Sequence, residues 1–370
     1  MQNSSLTIQV PGKLMIAGEF AVLEPLHQLV VMAVDRFVYA TLSQNADNRL
    51  SLLDFQLTDL EWNYNDNRIT IVTEDKRVRF VEDAMTIALN YLKESGITPS
   101  KFNLSIKSEL DDESGIKYGL GSSAAVVTSV ITAILKKFLQ KEPSVELIFK
   151  LSSISHVKTQ GNGSGADIAA SSYGGWLRYT SFQAEWLAEH YQQAESLTDL
   201  LQKDWPYFSV KPIKFPKDVY MCIGWTGSPA STANLVTEIR QLHKTNASLY
   251  DQFLQDSAEA VRTFLQGFET EDTDLLLKGT KLNRNALATL GKNAGVDVET
   301  PLLKRLCDLA ERQGGAGKPS GAGGGDCGIA FVPTKEKAEQ LMEAWQEAGI
   351  KPLTIRPNLH GAKRVDKNTK

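Results

Sequence analysis

The stretch Lys117-Tyr118-Gly119-Leu120-Gly121-Ser122-Ser123-Ala124-Ala125 opens a run that carries no formal charge from Tyr118 to Leu135. Glycines let backbone N–H groups approach an anion closely, and a helix that starts just beyond them adds its unpaired N–H groups and the positive end of its dipole. The apolar run predicts a helix over 123–139, with Lys136 and Lys137 suiting the negative end of the dipole. Ser122 and Ser123 can cap that helix, donate to phosphate oxygens, or offer a hydroxyl to Mg²⁺. The plain alternative is an N-cap serine after a turn. Two glycines and two serines ahead of an uncharged helix favour an anion site. The run also meets the minimum length for a membrane span, but its glycines, serines and threonines would be costly in lipid, so a buried helix is expected.

Upstream, Leu6, Ile8 and Val10 alternate as in a strand that Pro11-Gly12 is expected to break. Lys13 follows, in Pro11-Gly12-Lys13-Leu14-Met15-Ile16-Ala17-Gly18-Glu19. It is either a cleft-edge ammonium for a phosphate or a solvated turn lysine. Residues 29–42 and 50–53 read as strands, with turns at 45–48 and 63–67. Residues 81–95 have helical spacing, and Leu104 and Ile106 mark another strand. Downstream, helices are expected over 145–158, 231–244, 250–269, 302–312 and 335–348, and strands over 219–225 and 328–332. A third glycine-rich segment, Lys318-Pro319-Ser320-Gly321-Ala322-Gly323-Gly324-Gly325-Asp326-Cys327-Gly328, holds more glycine than a turn requires, and its Asp and Cys point to an ordered loop. Strands and helices mix without strict βαβ repetition, which favours an α+β fold. With 370 residues the chain exceeds one ordinary core. The Pro- and Lys-rich stretch 205–217 reads as a crossing between two domains, 1–215 and 216–370, that share a cleft.

The composition, 42% hydrophobic and 23% charged, is that of a globular protein, and the formal net charge of −4 leaves no basic footprint for nucleic acid. Three scattered cysteines form no C-x-x-C pair, so neither a zinc site nor a disulfide framework is indicated. The first ten residues lack a secretory pattern, and a cytoplasmic protein is expected. No Walker A loop is present, because Gly12-Lys13 precedes Leu14 and Gly317-Lys318 precedes Pro319. The Rossmann pattern occurs at Gly119, Gly161 and Gly323, and none of the three opens a convincing βαβ unit. No G-x-S-x-G elbow occurs.

The three glycine-bearing segments, in this order, resemble the signature of the GHMP kinases. A narrower resemblance, to the bacterial phosphomevalonate kinases, lies in Lys117 to Ser123, in Gly224-Trp225-Thr226-Gly227-Ser228-Pro229-Ala230-Ser231, and in Ser320 to Gly328. The resemblance implies a two-domain fold, the first half like ribosomal protein S5 domain 2 and the second ferredoxin-like, with ATP in the cleft. It implies transfer of the ATP γ-phosphoryl to 5-phosphomevalonate, giving 5-diphosphomevalonate and ADP in mevalonate-dependent isoprenoid synthesis.

Carried over by residue, Lys117, Gly119, Leu120, Gly121, Ser122, Ser123 and Ala124 would hold ATP, with Ser123 near Mg²⁺. Lys13 would be the cation between the reacting phosphates. Asp167, in Gly163-Ser164-Gly165-Ala166-Asp167, matches the catalytic aspartate, although its residues alone equally suit a helix cap. Ser164, Ser320, Gly321, Gly323 and Asp326 fall on the acceptor side. Lys158 is a candidate cation for the acceptor's phosphate, and Ser228 and Ser231 begin a second helix that could serve it. This chain departs from the family pattern at Phe20, where relatives commonly have Tyr, and at Leu26, where they often have Gly. No acidic residue stands shortly before Asp167, so waters, a serine and ATP oxygens are expected to supply most of the Mg²⁺ shell. The expected partner is a small molecule, with no nucleic acid and no membrane, bound to a monomer or homodimer. Rival readings are a mevalonate kinase, a nicotinamide-dependent oxidoreductase, and a non-catalytic nucleotide or RNA binder.

Overall fold

A computed structural model describes residues 5–111, 116–227 and 232–365. In chain order the elements are β1 (Leu6–Ala17), β2 (Gln28–Gln44), β3 (Arg49–Leu52), β4 (Leu57–Asn65), β5 (Arg68–Ile71), α1 (Arg79–Glu94), β6 (Phe102–Ser108), α2 (Ser122–Phe138), α3 (Val145–Gln160), α4 (Ala166–Tyr173), β7 (Trp176–Thr180), α5 (Ala184–Gln193), α6 (Leu197–Gln202) and β8 (Ser209–Ile213). There follow β9 (Tyr220–Trp225), α7 (Thr232–Thr245), α8 (Ala247–Thr270), α9 (Thr273–Ala294), α10 (Pro301–Arg312), β10 (Ala316–Pro319), β11 (Cys327–Val332), α11 (Lys335–Glu347), β12 (Lys351–Pro352) and β13 (Lys363–Arg364).

Two sheets organise them. The larger runs β13-β1-β2-β6-β3-β4-β5, with β7 joined to β2 and β8 to β7; the smaller runs β10-β11-β9-β12. Neighbouring strands are antiparallel except β3 and β6, which are parallel. The fold is the α+β arrangement expected from the mixed element order.

The long apolar helix α2 lies on β1 and β2 and is covered by α1, α3 and α4. That position explains a helix without charge: Val127, Val130, Ile131 and Ile134 are fully buried, as are Thr128, Ser129 and Thr132. Among the described residues no helix is long and apolar enough to cross a membrane.

Three expectations are corrected. Pro11-Gly12 does not end the first strand; β1 runs on to Ala17, with a register shift between Pro11 and Lys13. At that irregularity the Lys13 backbone N–H turns to the Leu120 carbonyl, 2.9 Å away, instead of continuing the ladder. The stretch 205–217 is not all crossing, because β8 occupies 209–213 at an edge of the larger sheet, and only 214–219 pass between the sheets. Finally, the 22-residue α9 has no counterpart in the sequence reading. Gly279 interrupts its pattern, but in the folded chain a Cβ there would stand 2.4 Å from the Phe264 backbone nitrogen, so the glycine lets α8 and α9 touch rather than breaking a helix.

At the Glu24-Pro25-Leu26 turn, Leu26 adopts φ 67° and is 71% exposed. The left-handed turn that suits glycine is therefore kept here by a leucine.

Candidate active site

The glycine loop and α2 form one wall of a cleft of about 450 Å³, within the usual range of small-molecule sites. Gly121 is the N-cap of α2 at φ 76°, a residue with no side chain to cap the helix. Ser122 and Ser123 are therefore the first helical residues rather than caps, which leaves the helix's opening N–H groups for a ligand. Both serines line the cleft.

Lys13 reaches this loop from β1. Its ammonium donates to the Gly119 carbonyl at 2.9 Å. A Cβ on Gly121 would stand 2.9 Å from Lys13 Cγ and 3.6 Å from Asp167 Cβ, so both side chains flank the bare glycine. The solvated-turn reading of Lys13 does not hold.

Asp167 lies in the first turn of α4, whose N-cap is Gly165, not Asp167. Its Oδ1 accepts from the Ile168 N–H at 2.9 Å, so the carboxylate faces the helix's positive end while it lines the cleft. Ser171 of the same helix donates to the Pro11 carbonyl at 2.9 Å, fixing α4 against β1 beside Lys13.

The C-terminal glycine segment closes the other side. A Cβ on Gly119 would meet Asp326 Oδ2 at 2.6 Å, so the two glycine loops touch. Cys327 donates its S–H to the Tyr118 carbonyl at 3.1 Å, and Ser320 donates to the Met15 carbonyl at 2.8 Å. Burial pushes the Cys327 thiol up to about 12, with the Asp326 charge adding to the rise and Lys13 opposing it. That makes it a packing group rather than a nucleophile.

Of the residues singled out in the sequence, Lys13, Lys117, Gly119, Leu120, Gly121, Ser122, Ser123, Ser164, Asp167, Ser320, Gly321 and Asp326 all line this cleft. Ala124 is fully buried, one residue inside the helix. Gly323 turns away, since a Cβ there would meet the Val298 carbonyl at 2.1 Å. Lys158 is a correction: its ammonium bonds Asp83 at 2.5 Å and lines a separate surface depression with Arg68 and Arg79. The helical turn that aims His156 into the cleft aims Lys158, two positions on, elsewhere. Ser228 and Ser231 lie outside the described residues.

Several cleft residues escaped the sequence reading, Glu19 and His156 among them. Glu19 is buried and forms a 2.5 Å ion pair with Lys318, a lysine with no exposed surface. His156 is buried on α3, with Nε2 3.1 Å from Ser123 Oγ. The only signal for either was a polar residue inside an apolar segment. Burial lowers the His156 pKa, and the Asp167 charge partly opposes this.

The Ser123 hydroxyl and Asp167 carboxylate are hard oxygen donors of the kind Mg²⁺ takes, and no cluster of three or more His, Cys, Asp or Glu occurs among the described residues. A helix N-terminus, an ammonium and a carboxylate converging on a bare glycine suit phosphoryl transfer, in which the protein positions and neutralises charge.

Comparison with known proteins gives the same assignment. The GHMP kinases N terminal domain matches residues 80–175, and the GHMP kinases C terminal domain matches residues 264–351. The chain is 33% identical to a phosphomevalonate kinase of Streptomyces sp. (strain CL190), over 95% of this chain and 96% of that one. Among solved structures it resembles the Lin0012 protein from Listeria innocua (TM-score 0.92, 39% identity, 98% of this chain and 100% of that one). It also resembles the Streptococcus pneumoniae phosphomevalonate kinase in complex with phosphomevalonate and AMPPNP (TM-score 0.84, 26% identity, 95% and 99%). The cleft geometry and these full-length likenesses agree: the chain belongs to the GHMP kinases.

Proposed function

We propose that this kinase transfers the γ-phosphoryl of ATP to 5-phosphomevalonate, releasing ADP and 5-diphosphomevalonate. The convergence of Lys13 and Asp167 on Gly121, at the start of α2, carries the reading. The acceptor is supported by the likeness to the Streptomyces and pneumococcal phosphomevalonate kinases. ATP phosphates lie along Gly119 to Ser123, and the acceptor lies toward Ser164, Ser320, Gly321 and Asp326. The N-terminal domain, 1–215, supplies the nucleotide loop, and the C-terminal domain, 216–370, closes the cleft. The enzyme acts in the cytoplasm, as a monomer or homodimer.

The acceptor is a phosphate monoester whose second pKa is about 6, so at pH 7 it is mostly dianionic and needs little help from a base. The harder task is to bring two polyanions together. Lys13 does this by placing an ammonium between donor and acceptor, and Asp167 orients Lys13 and the water around the cation. Mg²⁺, held by ATP oxygens, waters and Ser123, would neutralise charge on the transferred group.

The test is ADP release with mevalonate, phosphomevalonate, galactose and homoserine as parallel acceptors. Turnover of about 1–100 per second with phosphomevalonate is expected. Equal or greater activity with mevalonate would overturn the acceptor assignment.

A further inference from the structure

His156 sits where α3 passes behind the glycine loop. It is 4% exposed, its ring packs against Phe80 with centroids 5.4 Å apart, and Nε2 lies 3.1 Å from Ser123 Oγ. Both residues border the cleft. A neutral imidazole has one N–H and one lone pair; a serine hydroxyl has one hydrogen and two lone pairs. An unrestrained serine at a helix start rotates, and can spend its hydrogen on a phosphate oxygen or on nearby backbone. A cation takes lone pairs instead.

We propose that His156 is a positioning residue: its Nε2 accepts the Ser123 hydroxyl hydrogen, which locks the hydroxyl and leaves its oxygen lone pairs for the Mg²⁺ of the bound nucleotide. This rests on the kinase reading. It goes further by assigning the orientation of the Ser123 hydroxyl to His156, on the neighbouring helix α3. The placement follows from the chain path. α3 ends at Gly161, in the left-handed conformation, and the turn through 162–165 leads into α4, so one segment delivers both His156 and Asp167 to the same wall.

The experiment uses the whole chain and measures ADP affinity by calorimetry, with Mg²⁺ and with a chelator. His156→Leu should weaken Mg-ADP binding about tenfold, the scale of one contact to a charged group, and leave metal-free ADP binding unchanged. It should also raise the Mg²⁺ concentration needed for half-maximal turnover. His156→Gln, whose amide reaches the Nε2 position, should recover most of the affinity. Ser123→Ala should reproduce the metal-dependent loss, and adding His156→Leu to it should cost nothing more.

Equal losses with and without Mg²⁺ would place the hydroxyl on a phosphate and overturn the proposal. So would a His156→Leu protein that melts earlier but binds Mg-ADP normally. If His156→Leu does not fold, His156→Gln and Ser123→Ala carry the test, and an Mg-independent phenotype in Ser123→Ala overturns it. A wild-type chain that binds no ADP fails the kinase reading itself, before any variant is compared.

Discussion

Lys13 and Asp167 flank the same glycine, and the chemistry of the proposed acceptor would separate their roles. A dianionic acceptor gains little from a base, whereas its approach to ATP depends on a nearby cation. Lys13→Met should lower turnover by at least about a hundredfold, the scale of removing one electrostatic stabiliser. Asp167→Asn keeps the shape and the bond from the Ile168 N–H; its effect should be milder, and its residual rate should acquire no new rise at high pH. Steady-state pH profiles of both variants decide the matter. If Asp167→Asn is the more damaging and alkaline pH restores its rate, Asp167 is a true base. The lysine's ammonium also holds the Gly119 carbonyl at 2.9 Å, so nucleotide affinity should fall together with turnover in Lys13→Met.

At the scale of elements, the glycine loop does two things that can be separated. Its backbone must turn through positive φ, and it must stay bare to let Lys13 and Asp167 approach and, on the proposed function, phosphate. Gly96, after α1, has φ 73° and nothing within 4 Å of a Cβ, so Gly96→Ala tests backbone strain alone. It should cost about 1 kcal/mol in denaturant unfolding and leave activity unchanged. Gly121→Ala, at φ 76°, carries the same strain and also drives a methyl to 2.9 Å from Lys13 Cγ. Its stability loss should be similar, and its turnover should fall at least tenfold. Matched activities in the two variants would show that the loop matters only as a turn. The loop's place at the start of a buried helix, on a cleft wall, was legible in the sequence because glycine and serine ahead of an apolar helix have few other uses. The helical reading of 145–158 was legible too, but not which face of that helix meets the cleft, since both Lys158 and His156 lay within it.

At the scale of the molecule, the sheets are joined by a buried ion pair and by aromatic packing. Lys318 on β10 reaches Glu19, just beyond β1, and the Gly321 N–H donates to the same carboxylate oxygen at 3.3 Å. The other Glu19 oxygen is buried and has no hydrogen-bond partner among the described residues. Trp176 on β7 stacks on Phe215 at 4.6 Å, and Phe215 contacts Phe331 on β11 at 6.3 Å, so one core continues from the larger sheet to the smaller. Removing one partner of a buried pair leaves an uncompensated charge, so Lys318→Met should destabilise the protein by about 3–5 kcal/mol. The double variant Glu19→Leu/Lys318→Met should recover much of that loss, because two apolar groups need no partner. Urea unfolding of the single and double variants measures it; a single variant as stable as wild type would mean that the pair is not buried in solution.

The sequence by itself determined the α+β class, the three glycine segments, most helices, and the residue types that meet in the cleft, because these depend on local periodicity and on backbone freedom. It also held the family resemblance, because ordered short motifs survive in one dimension. Only the tertiary structure decided that Pro11-Gly12 bends a continuing strand, that Gly279 joins two helices, that Lys158 pairs with Asp83, and that Glu19 meets Lys318. Each depends on which distant segment lies opposite, and the burial of Lys318 or the hydrogen bond between Ser123 and His156 exists only once two separate segments of the chain share a wall.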